Sequence, residues 1–257
     1  MALLDPRTLT LIVTGATSGI GAATARRFAS GGARVVAVGR RADRLEGLVA
    51  EFGDLILPLE LDVRDEAATF AAFSSLPAPF DAYNVVFANA GLALGLEPTW
   101  EASLEEWTTM VETNITGLLY TVRSTLPAMV ARKQGHLVFT GSIAGDYAYP
   151  GGNVYGATKA FVKQFSLNVW ADLAGTGVRV TNIEPGLTET EFSVVRFGGD
   201  QGKADKVYTG TQPMTGEDIA EQVFFACTQP RHVNINRIQA MAAQQGFGPL
   251  SIKRDPA

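Results

Sequence analysis

The sequence has 257 residues, of which 46% are hydrophobic and 18% are charged, and its net charge is −5. These values exclude a disordered chain, and the length suits one large α/β domain. The acidic balance speaks against a nucleic-acid-binding protein, which usually presents a basic face. No apolar run reaches about 18 residues, so we expect no transmembrane helix. The N-terminus lacks the features of a signal peptide, so we expect a cytoplasmic protein.

Residues that commonly bind metals are scarce. The single cysteine, Cys227, lies in an apolar run and is best interpreted as a small buried side chain. It cannot form an intrachain disulfide. The two histidines, His136 and His232, are too few for a zinc site of the usual kind. We therefore expect no metal centre.

Short apolar runs alternate with segments of helical periodicity along the chain. The predicted strands are residues 9–13, 34–38, 55–61, 84–88, 136–140 and 179–183, with a weaker strand at 232–238. The predicted helices are residues 22–29, 44–52, 66–73, 104–130, 154–173 and 217–227. This alternation predicts a parallel sheet with helices on both faces, and such strands are apolar throughout. We predict one α/β domain over residues 1–257, doubly wound in the Rossmann manner, with a mostly parallel seven-stranded sheet.

Residues 188–213 interrupt the alternation and are rich in Gly, Asp and Lys. They follow a predicted strand, and in an open α/β sheet ligands bind beyond the carboxyl ends of the strands. Long irregular segments in compact domains are usually functional. We therefore interpret residues 188–213 as a candidate lid, with a mobile surface loop as the alternative.

Residues 14–21, here named the glycine turn, read Thr-Gly-Ala-Thr-Ser-Gly-Ile-Gly. They connect the first predicted strand to the first predicted helix. Gly15, Gly19 and Gly21 allow a tight turn that approaches a pyrophosphate closely, and the helix N-terminus offers unpaired N–H groups. The strand before and the helix after favour a dinucleotide site over a purely structural turn.

The second predicted strand is followed by Gly39, Arg40 and Arg41. An acidic residue here would bind the adenosine ribose hydroxyls and repel a 2′-phosphate, whereas a guanidinium binds phosphate through paired donors. The sequence therefore favours NADP(H) over NAD(H). Arg40 is the stronger candidate of the two, and solvated loop arginines are the alternative.

Tyr155 and Lys159 are four residues apart in a predicted helix, so they share one face. An ammonium group lowers the pKa of a nearby phenol from about 10, so this pair can act as a general acid and base. Ser142 follows the fifth predicted strand, and Asn114 lies inside a helical segment where asparagine is unfavourable. Taken singly, each also fits a structural role. Residues 141–145 lack the spacing of a serine-hydrolase nucleophile elbow.

Together these motifs resemble the short-chain dehydrogenase/reductase family over nearly the whole chain, to about residue 240. The resemblance is carried by the glycine turn, Asn89-Ala90-Gly91, Asn114, Ser142, Tyr155-x-x-x-Lys159 and Pro185-Gly186. One departure is visible: Ala88 stands where the family usually has a further asparagine. We expect little effect on cofactor binding because Asn89 is kept.

The resemblance implies a role for each matching residue. Tyr155 would exchange a proton with the substrate oxygen, Lys159 would lower its pKa, and Ser142 would orient that oxygen. Asn114 would support a water that links Lys159 to solvent. The implied NADP(H) site comprises Gly15, Thr17, Ser18, Gly19, Ile20, Gly21, Arg40, Arg41, Asp62, Val63, Asn89, Ala90, Gly91, Tyr155, Lys159, Pro185, Gly186 and Thr188. The family also implies a homotetramer or dimer built on the helices that contain Asn114 and Tyr155.

A narrower resemblance, to the NADP-dependent 3-hydroxy acid dehydrogenases, is carried by residues 39–41, 90–95, 151–162, 183–187 and 232–236. This subgroup is also described as serine or allo-threonine dehydrogenase and as malonic semialdehyde reductase. Such a substrate has a carboxylate, and we predict that Arg196 in the candidate lid binds it; a solvated arginine is the alternative. The tail from Gln239 onward does not share this resemblance.

Two other functions stay open: a broad-range NADPH-dependent carbonyl reductase, and a non-catalytic NADP-binding redox sensor. The complete set of Asn114, Ser142, Tyr155 and Lys159 favours an enzyme, because a sensor has no need of all four. The importance of a substrate carboxylate would distinguish the two enzymes.

Overall fold

The structure, a computed structural model, describes residues 3–246. Its strands are β1 Thr10–Thr14, β2 Arg34–Gly39, β3 Ile56–Glu60, β4 Val85–Ala88, β5 Gly135–Thr140, β6 Val178–Pro185, β7 Thr188–Glu189, β8 Met214–Thr215 and β9 Arg237–Ala240. Seven of them form one sheet in the order β3-β2-β1-β4-β5-β6-β9, and β7 pairs with β8. Every pairing in the seven-stranded sheet is parallel. The predicted doubly wound Rossmann-type fold is confirmed.

Helices cover both faces of the sheet. They are α1 Gly19–Ser30, α2 Ala42–Phe52, α3 Glu66–Ser74, α4 Leu104–Val111, α5 Gly117–Ala131, α6 Asn153–Asp172, α7 Glu191–Arg196, α8 Gln201–Tyr208 and α9 Gly216–Thr228. A π-helical turn spans Glu112–Thr116, and 3-10 turns span Pro6–Thr8, Gly53–Leu55, Phe80–Ala82 and Ile143–Gly145.

The core has two halves, one on each face of the sheet. Leu11 and Val13 of β1 pack with α1, α2 and α9 on one face, where the Phe28 and Phe224 rings lie 5.1 Å apart. Ile12, between them in sequence, packs on the opposite face against α3, α5 and α6. Successive side chains of a strand point to opposite faces. Both halves are apolar, and the strands are therefore apolar at every position.

The prediction of one continuous helix over residues 104–130 is wrong at its centre. The π-helical turn separates α4 from α5, and within it the Gly117 N–H bonds to the Glu112 carbonyl, five residues back. Asn114 lies in this turn and is buried. Asparagine is a weak former of helix interiors, and single π turns occur often at functional sites. The π-helical turn therefore contains Asn114, which the sequence already indicated as a candidate site residue.

The last predicted strand, at residues 232–238, is present but lies further along the chain, because β9 begins only at Arg237. Before it, the Asn234 side chain takes the place of a strand. The Val180 N–H donates to Asn234 Oδ1 at 2.7 Å, and Asn234 Nδ2 donates to the Val180 carbonyl at 2.9 Å. A side-chain amide here makes the hydrogen bonds that a neighbouring backbone would otherwise make.

The candidate lid is not irregular, which corrects the interpretation of residues 188–213. It contains β7, α7 and α8, and the short β8 that follows pairs with β7. Thr190 caps α7 by accepting the Phe192 N–H, and Asp200 caps α8 by accepting the Lys203 N–H. The segment is therefore built largely of regular elements with capped helices.

Cys227 and His136 are both buried, as expected of structural side chains. Burial raises the pKa of Cys227 to about 12. Burial also lowers the pKa of His136 well below its usual value, and its Nε2 lies 2.8 Å from the Thr181 hydroxyl. Within residues 3–246, no group of three or more His, Cys, Asp or Glu side chains is placed to hold a metal ion. In the same part of the chain, no helix is long and apolar enough to cross a membrane.

Candidate active site

A cleft of about 360 Å³ lies at the carboxyl ends of the sheet strands and is here named the main cleft. Nearly all of the residues predicted to bind a cofactor or to act in catalysis line it: Gly15, Thr17, Ser18, Gly19, Ile20, Arg40, Arg41, Asp62, Val63, Asn89, Ala90, Gly91, Ser142, Tyr155, Lys159, Pro185, Gly186 and Thr188. Gly21 and Asn114 do not line the cleft, and Arg196 lines an adjoining pocket. The fold thus brings together motifs that are far apart in sequence.

The glycine turn has the backbone that its sequence predicts. Gly15 and Gly19 have φ of +69° and +49°, the left-handed region that favours glycine. A Cβ at Gly21 would overlap the Gly15 carbonyl, so the turn can close only with glycine there. Within the part of the chain that the structure describes, no side chain caps the N-terminus of α1. Its first N–H groups are therefore available to an anion in the main cleft.

Asn89 joins three strand ends. Its Nδ2 donates to the Thr14 carbonyl at 3.0 Å, and its Oδ1 accepts the Thr140 hydroxyl at 3.0 Å. The Thr14 Oγ1 in turn accepts the N–H groups of Asn89 and Ala90, each at 3.0 Å. The Asn89 side chain therefore fixes β1, β4 and β5 relative to one another, and holds this loop at the wall of the main cleft.

Arg40 and Arg41 differ in how their guanidinium groups are occupied. Arg41 donates to the Thr17 carbonyl at 3.1 Å, to the Thr17 hydroxyl, and to Glu191 at 2.8 Å. The Arg40 side chain is 64% exposed, and its one ion pair within residues 3–246 is a 3.9 Å approach to Asp62. Arg40 therefore has donors available for a ligand phosphate, whereas most of those of Arg41 already serve the protein.

Asp62 is held by Arg64 rather than facing the cleft freely. Arg64 Nη2 and Nε donate to the Asp62 carboxylate at 2.6 to 3.0 Å. These hydrogen bonds hold the pKa of Asp62 below its usual value. The carboxylate is thereby fixed next to Val63, with its charge largely compensated, so it does not oppose an anion near Arg40.

Tyr155 and Lys159 project from α6 into the main cleft, and both are buried. Lys159 Nζ donates to the Thr140 carbonyl at 2.7 Å and lies 5.8 Å from the centre of the Tyr155 ring. Burial lowers the pKa of Lys159 to about 8. Burial raises the pKa of Tyr155 to about 12, while a hydrogen bond from Ser142 and the charge of Arg196 act in the opposite direction. At neutral pH the Tyr155 phenol is therefore protonated and able to donate.

Asn114 supports this pair from behind. Its Oδ1 accepts the Leu92 N–H at 2.8 Å, and its Nδ2 donates to the Leu92 carbonyl at 2.8 Å and to the Thr158 hydroxyl at 3.1 Å. Thr158 in turn donates to the Tyr155 carbonyl at 2.8 Å. The side chain thus joins the π-helical turn, the loop after β4 and α6. The water relay expected for Asn114 stays a prediction.

A second cavity of about 290 Å³, here named the side pocket, adjoins the main cleft at Tyr155. Arg196 enters it from α7, with its guanidinium 5.1 Å from the ring centres of both Tyr155 and Phe192. Its Nη2 donates to the Tyr149 hydroxyl at 3.1 Å. Its Nε is buried and has no hydrogen-bond partner among the described residues. No Asp or Glu from this part of the chain lines the pocket, so it favours an anionic ligand.

Residues 9–197 match the family described as short chain dehydrogenase. The chain belongs to the short-chain dehydrogenase family. It is 54% identical over 245 residues to the NADP-dependent 3-hydroxy acid dehydrogenase YdfG of Salmonella typhi, which covers 95% of this chain and 99% of that protein. It is 48% identical over 246 residues to the serine 3-dehydrogenase of Agrobacterium fabrum (strain C58 / ATCC 33970), covering 96% and 98% of the two chains.

The chain is also similar to a solved structure over nearly its whole length. That structure is described as the closed form of serine dehydrogenase complexed with NADP+, and it matches with a TM-score of 0.94 and 51% sequence identity. The match covers 95% of this chain and 99% of that chain. The likeness therefore extends over almost all elements of the fold.

Several residues of this site were not found from the sequence. Arg64 could have been found from the sequence, because it lies only two residues after Asp62, which follows a strand. Tyr149 and Phe192 could not have been found in this way, because only the folded chain brings them close to Tyr155. Glu191 likewise meets Arg41 across 150 residues of sequence.

Proposed function

We propose that this protein is an NADP-dependent oxidoreductase that transfers a hydride between NADP(H) and a 3-hydroxy acid or the matching 3-oxo acid. The observation that carries the proposal is the place of Arg196. Its guanidinium, with a buried and unpartnered Nε, lies beside Tyr155 in a pocket that favours anions. In a 3-hydroxy acid one carbon separates the carbinol from the carboxylate, so a carboxylate at Arg196 leaves the hydroxyl near Tyr155. The named activities of the two relatives support the same substrate class.

The main cleft fits NADP(H) at three places. The uncapped N-terminus of α1 offers N–H groups for the pyrophosphate, and the glycine turn lets the backbone come close. Arg40 has donors available for the 2′-phosphate. Lys159 and Thr188 line the part of the cleft next to Tyr155. When bound, NADP(H) supplies or accepts the hydride.

The protein's own residues manage the proton. In reduction, the protonated Tyr155 phenol donates its proton to the carbonyl oxygen, and Ser142 donates a hydrogen bond to the same oxygen. The Lys159 ammonium stabilises the phenolate that remains and returns a proton to it. In oxidation the phenolate takes the hydroxyl proton instead. Asn114 holds α6 and the loop at Leu92 in place throughout.

The test is a turnover assay with purified protein and either NADP+ or NAD+. Formation of the reduced cofactor is followed by absorbance with L-serine, L-allo-threonine, 3-hydroxypropionate, 3-hydroxyisobutyrate and a plain secondary alcohol. We expect turnover of hydroxy acids with NADP+ and far less with NAD+. Turnover of the neutral alcohol alone would replace the proposal with a broad-range carbonyl reductase. NADP+ binding without any turnover would favour a redox sensor.

The assembly and location remain proposals as well. We propose a homotetramer or dimer that uses α4, α5 and α6, the helices around Asn114 and Tyr155. Apolar side chains on two of these helices are exposed: Leu104 is 73%, Val111 39% and Leu167 42% exposed. Light scattering of the wild type and of Leu104→Asp tests this, since the variant should dissociate. The cytoplasmic location expected from the sequence is testable by cell fractionation.

A further inference from the structure

Glu191 is the first residue of α7, and its carboxylate meets two arginines from the segment after β2. Arg41 Nη1 lies 2.8 Å from Glu191 Oε2, and Arg44 Nη1 lies 3.5 Å from Glu191 Oε1. Both carboxylate oxygens are thus engaged. Arg41 also donates to the carbonyl and hydroxyl of Thr17. A continuous set of polar contacts therefore runs from the glycine turn through Arg41 to α7.

Two other side chains of α7, Phe192 and Arg196, lie beside Tyr155. The Phe192 ring lies 5.5 Å from the Tyr155 ring, and the Arg196 guanidinium lies 5.1 Å from it. A helix rises 1.5 Å per residue, so α7 carries the connection over roughly 7.5 Å from Glu191 to Arg196. A helix of six residues has little stability of its own. Its position therefore depends on contacts with the rest of the protein, among them the ion pairs of Glu191 at its first residue.

The adjacent residues Arg40 and Arg41 have different roles. Arg40 has an exposed guanidinium with donors to offer a ligand, while Arg41 is engaged by Thr17 and Glu191. We propose that Glu191 is a positioning residue and that the Arg41–Glu191 ion pair, assisted by Arg44, is a strut between the glycine turn and α7. The strut holds Arg196 and Phe192 against Tyr155. Residues of the glycine turn, which lines the main cleft, thereby help to form the side pocket. The effect of the strut on substrate rests on the proposed function.

The size of the effect follows from exposure. The Arg41 and Glu191 side chains are 41% and 42% exposed, and such pairs are screened by solvent. We therefore expect removal of the Glu191 charge to weaken the docking equilibrium of α7 about three- to fivefold, without unfolding the protein.

The first experiment compares Glu191→Gln with Glu189→Gln and the wild type. Glu189 lies two residues earlier in β7, is exposed, and forms no ion pair within residues 3–246, so its variant removes the same charge without touching the strut. Hydrogen–deuterium exchange of residues 190–208 is measured with NADP+ at saturation. We expect exchange in Glu191→Gln to be about three to five times faster than in the wild type, with Glu189→Gln unchanged. Equal exchange in the two variants would overturn the strut.

The second experiment measures kinetics on a 3-hydroxy acid. For Glu191→Gln we expect KM to rise about three- to fivefold and kcat to stay within about twofold, because Arg196 is displaced while Tyr155 is not. Arg41→Gln should raise KM similarly, and the double variant should be no worse than the worse single variant. Fully additive effects, or faster exchange with an unchanged KM, would contradict the positioning role. If the wild type turns over no 3-hydroxy acid, the proposed function fails, and the exchange experiment still decides the strut.

Discussion

The Arg196 guanidinium lies 5.1 Å from the centre of the Tyr155 ring, and one of its nitrogens donates to the Tyr149 hydroxyl at 3.1 Å. If Arg196 binds the substrate carboxylate, Arg196→Ala should raise KM for a 3-hydroxy acid by roughly 10- to 100-fold, the value of a charged hydrogen bond. Arg196→Lys should restore part of this loss. KM for a neutral secondary alcohol serves as the control and should change much less. An equal rise for both substrates would indicate a packing role instead.

Arg40→Gln should weaken NADP+ binding by roughly 10- to 100-fold and leave NAD+ binding nearly unchanged. The reason is that Arg40 has an exposed guanidinium at the end of β2, where a 2′-phosphate would meet it. Dissociation constants from fluorescence titration measure the change. Arg26→Gln is the matched control, because Arg26 pairs with Glu51 outside the main cleft. A similar loss with both cofactors would place Arg40 on another part of the dinucleotide.

If Tyr155 is the acid and base, as proposed, Tyr155→Phe should lower kcat by about 10²- to 10⁴-fold, since it removes the hydroxyl while keeping the ring. Burial raises the pKa of Tyr155 to about 12, so the free enzyme holds the protonated form at neutral pH. The kcat/KM for carbonyl reduction should therefore be nearly flat from pH 6 to 8, and that for alcohol oxidation should rise with pH. Initial rates across this range test both statements. A rise in reduction with pH would argue against Tyr155 as the acid.

Lys159→Met should change how stability depends on pH. Burial lowers the pKa of Lys159 from 10.5 to about 8. Below pH 8 the folded protein carries a buried charge at a cost in stability, and above pH 10.5 both folded and unfolded states are neutral. The gain in unfolding free energy from Lys159→Met should thus be largest below pH 8, on the order of 3 kcal/mol, and should vanish towards pH 10.5. Urea unfolding at several pH values measures it, and a constant difference would refute it.

Asn114→Ala should destabilise the protein by roughly 2 to 4 kcal/mol, because it removes a buried amide and leaves the part-buried N–H and carbonyl of Leu92 without these partners. Denaturant unfolding measures this loss. Asn168→Ala is the control, since Asn168 is exposed on α6 and pairs only with Gln164 among the described residues. That variant should stay within about 0.5 kcal/mol of the wild type. Equal effects of the two substitutions would contradict the structural role of Asn114.

The sheet and most of its strands could be predicted because both of its faces are apolar, which leaves an uninterrupted apolar run at each strand. The last strand could not be placed, because the side chain of Asn234 replaces backbone pairing with Val180. No periodicity signals such a replacement.

The candidate site was predictable where its residues follow strands directly or share a helix face, as Ser142, Tyr155 and Lys159 do. The contacts that depend on chain folding were not. The sequence does not show whether Arg41 binds a ligand or another part of the protein. Its partner Glu191 lies 150 residues away and reaches it only in the folded chain. The structure of the candidate lid was missed because α7 is too short to leave a helical pattern in sequence.

The π-helical turn at Glu112–Thr116 also determines which side of the following helix, α5, faces the sheet. Such a turn holds one residue more than an α-helical turn, and each residue rotates a helix by about 100°. Leu118, Val122 and Met129 of α5 now face the sheet and are buried there. Deleting one residue within the turn would restore regular geometry and swing all three away from the core. The surplus residue that positions Asn114 is therefore also the residue on which the docking of α5 depends.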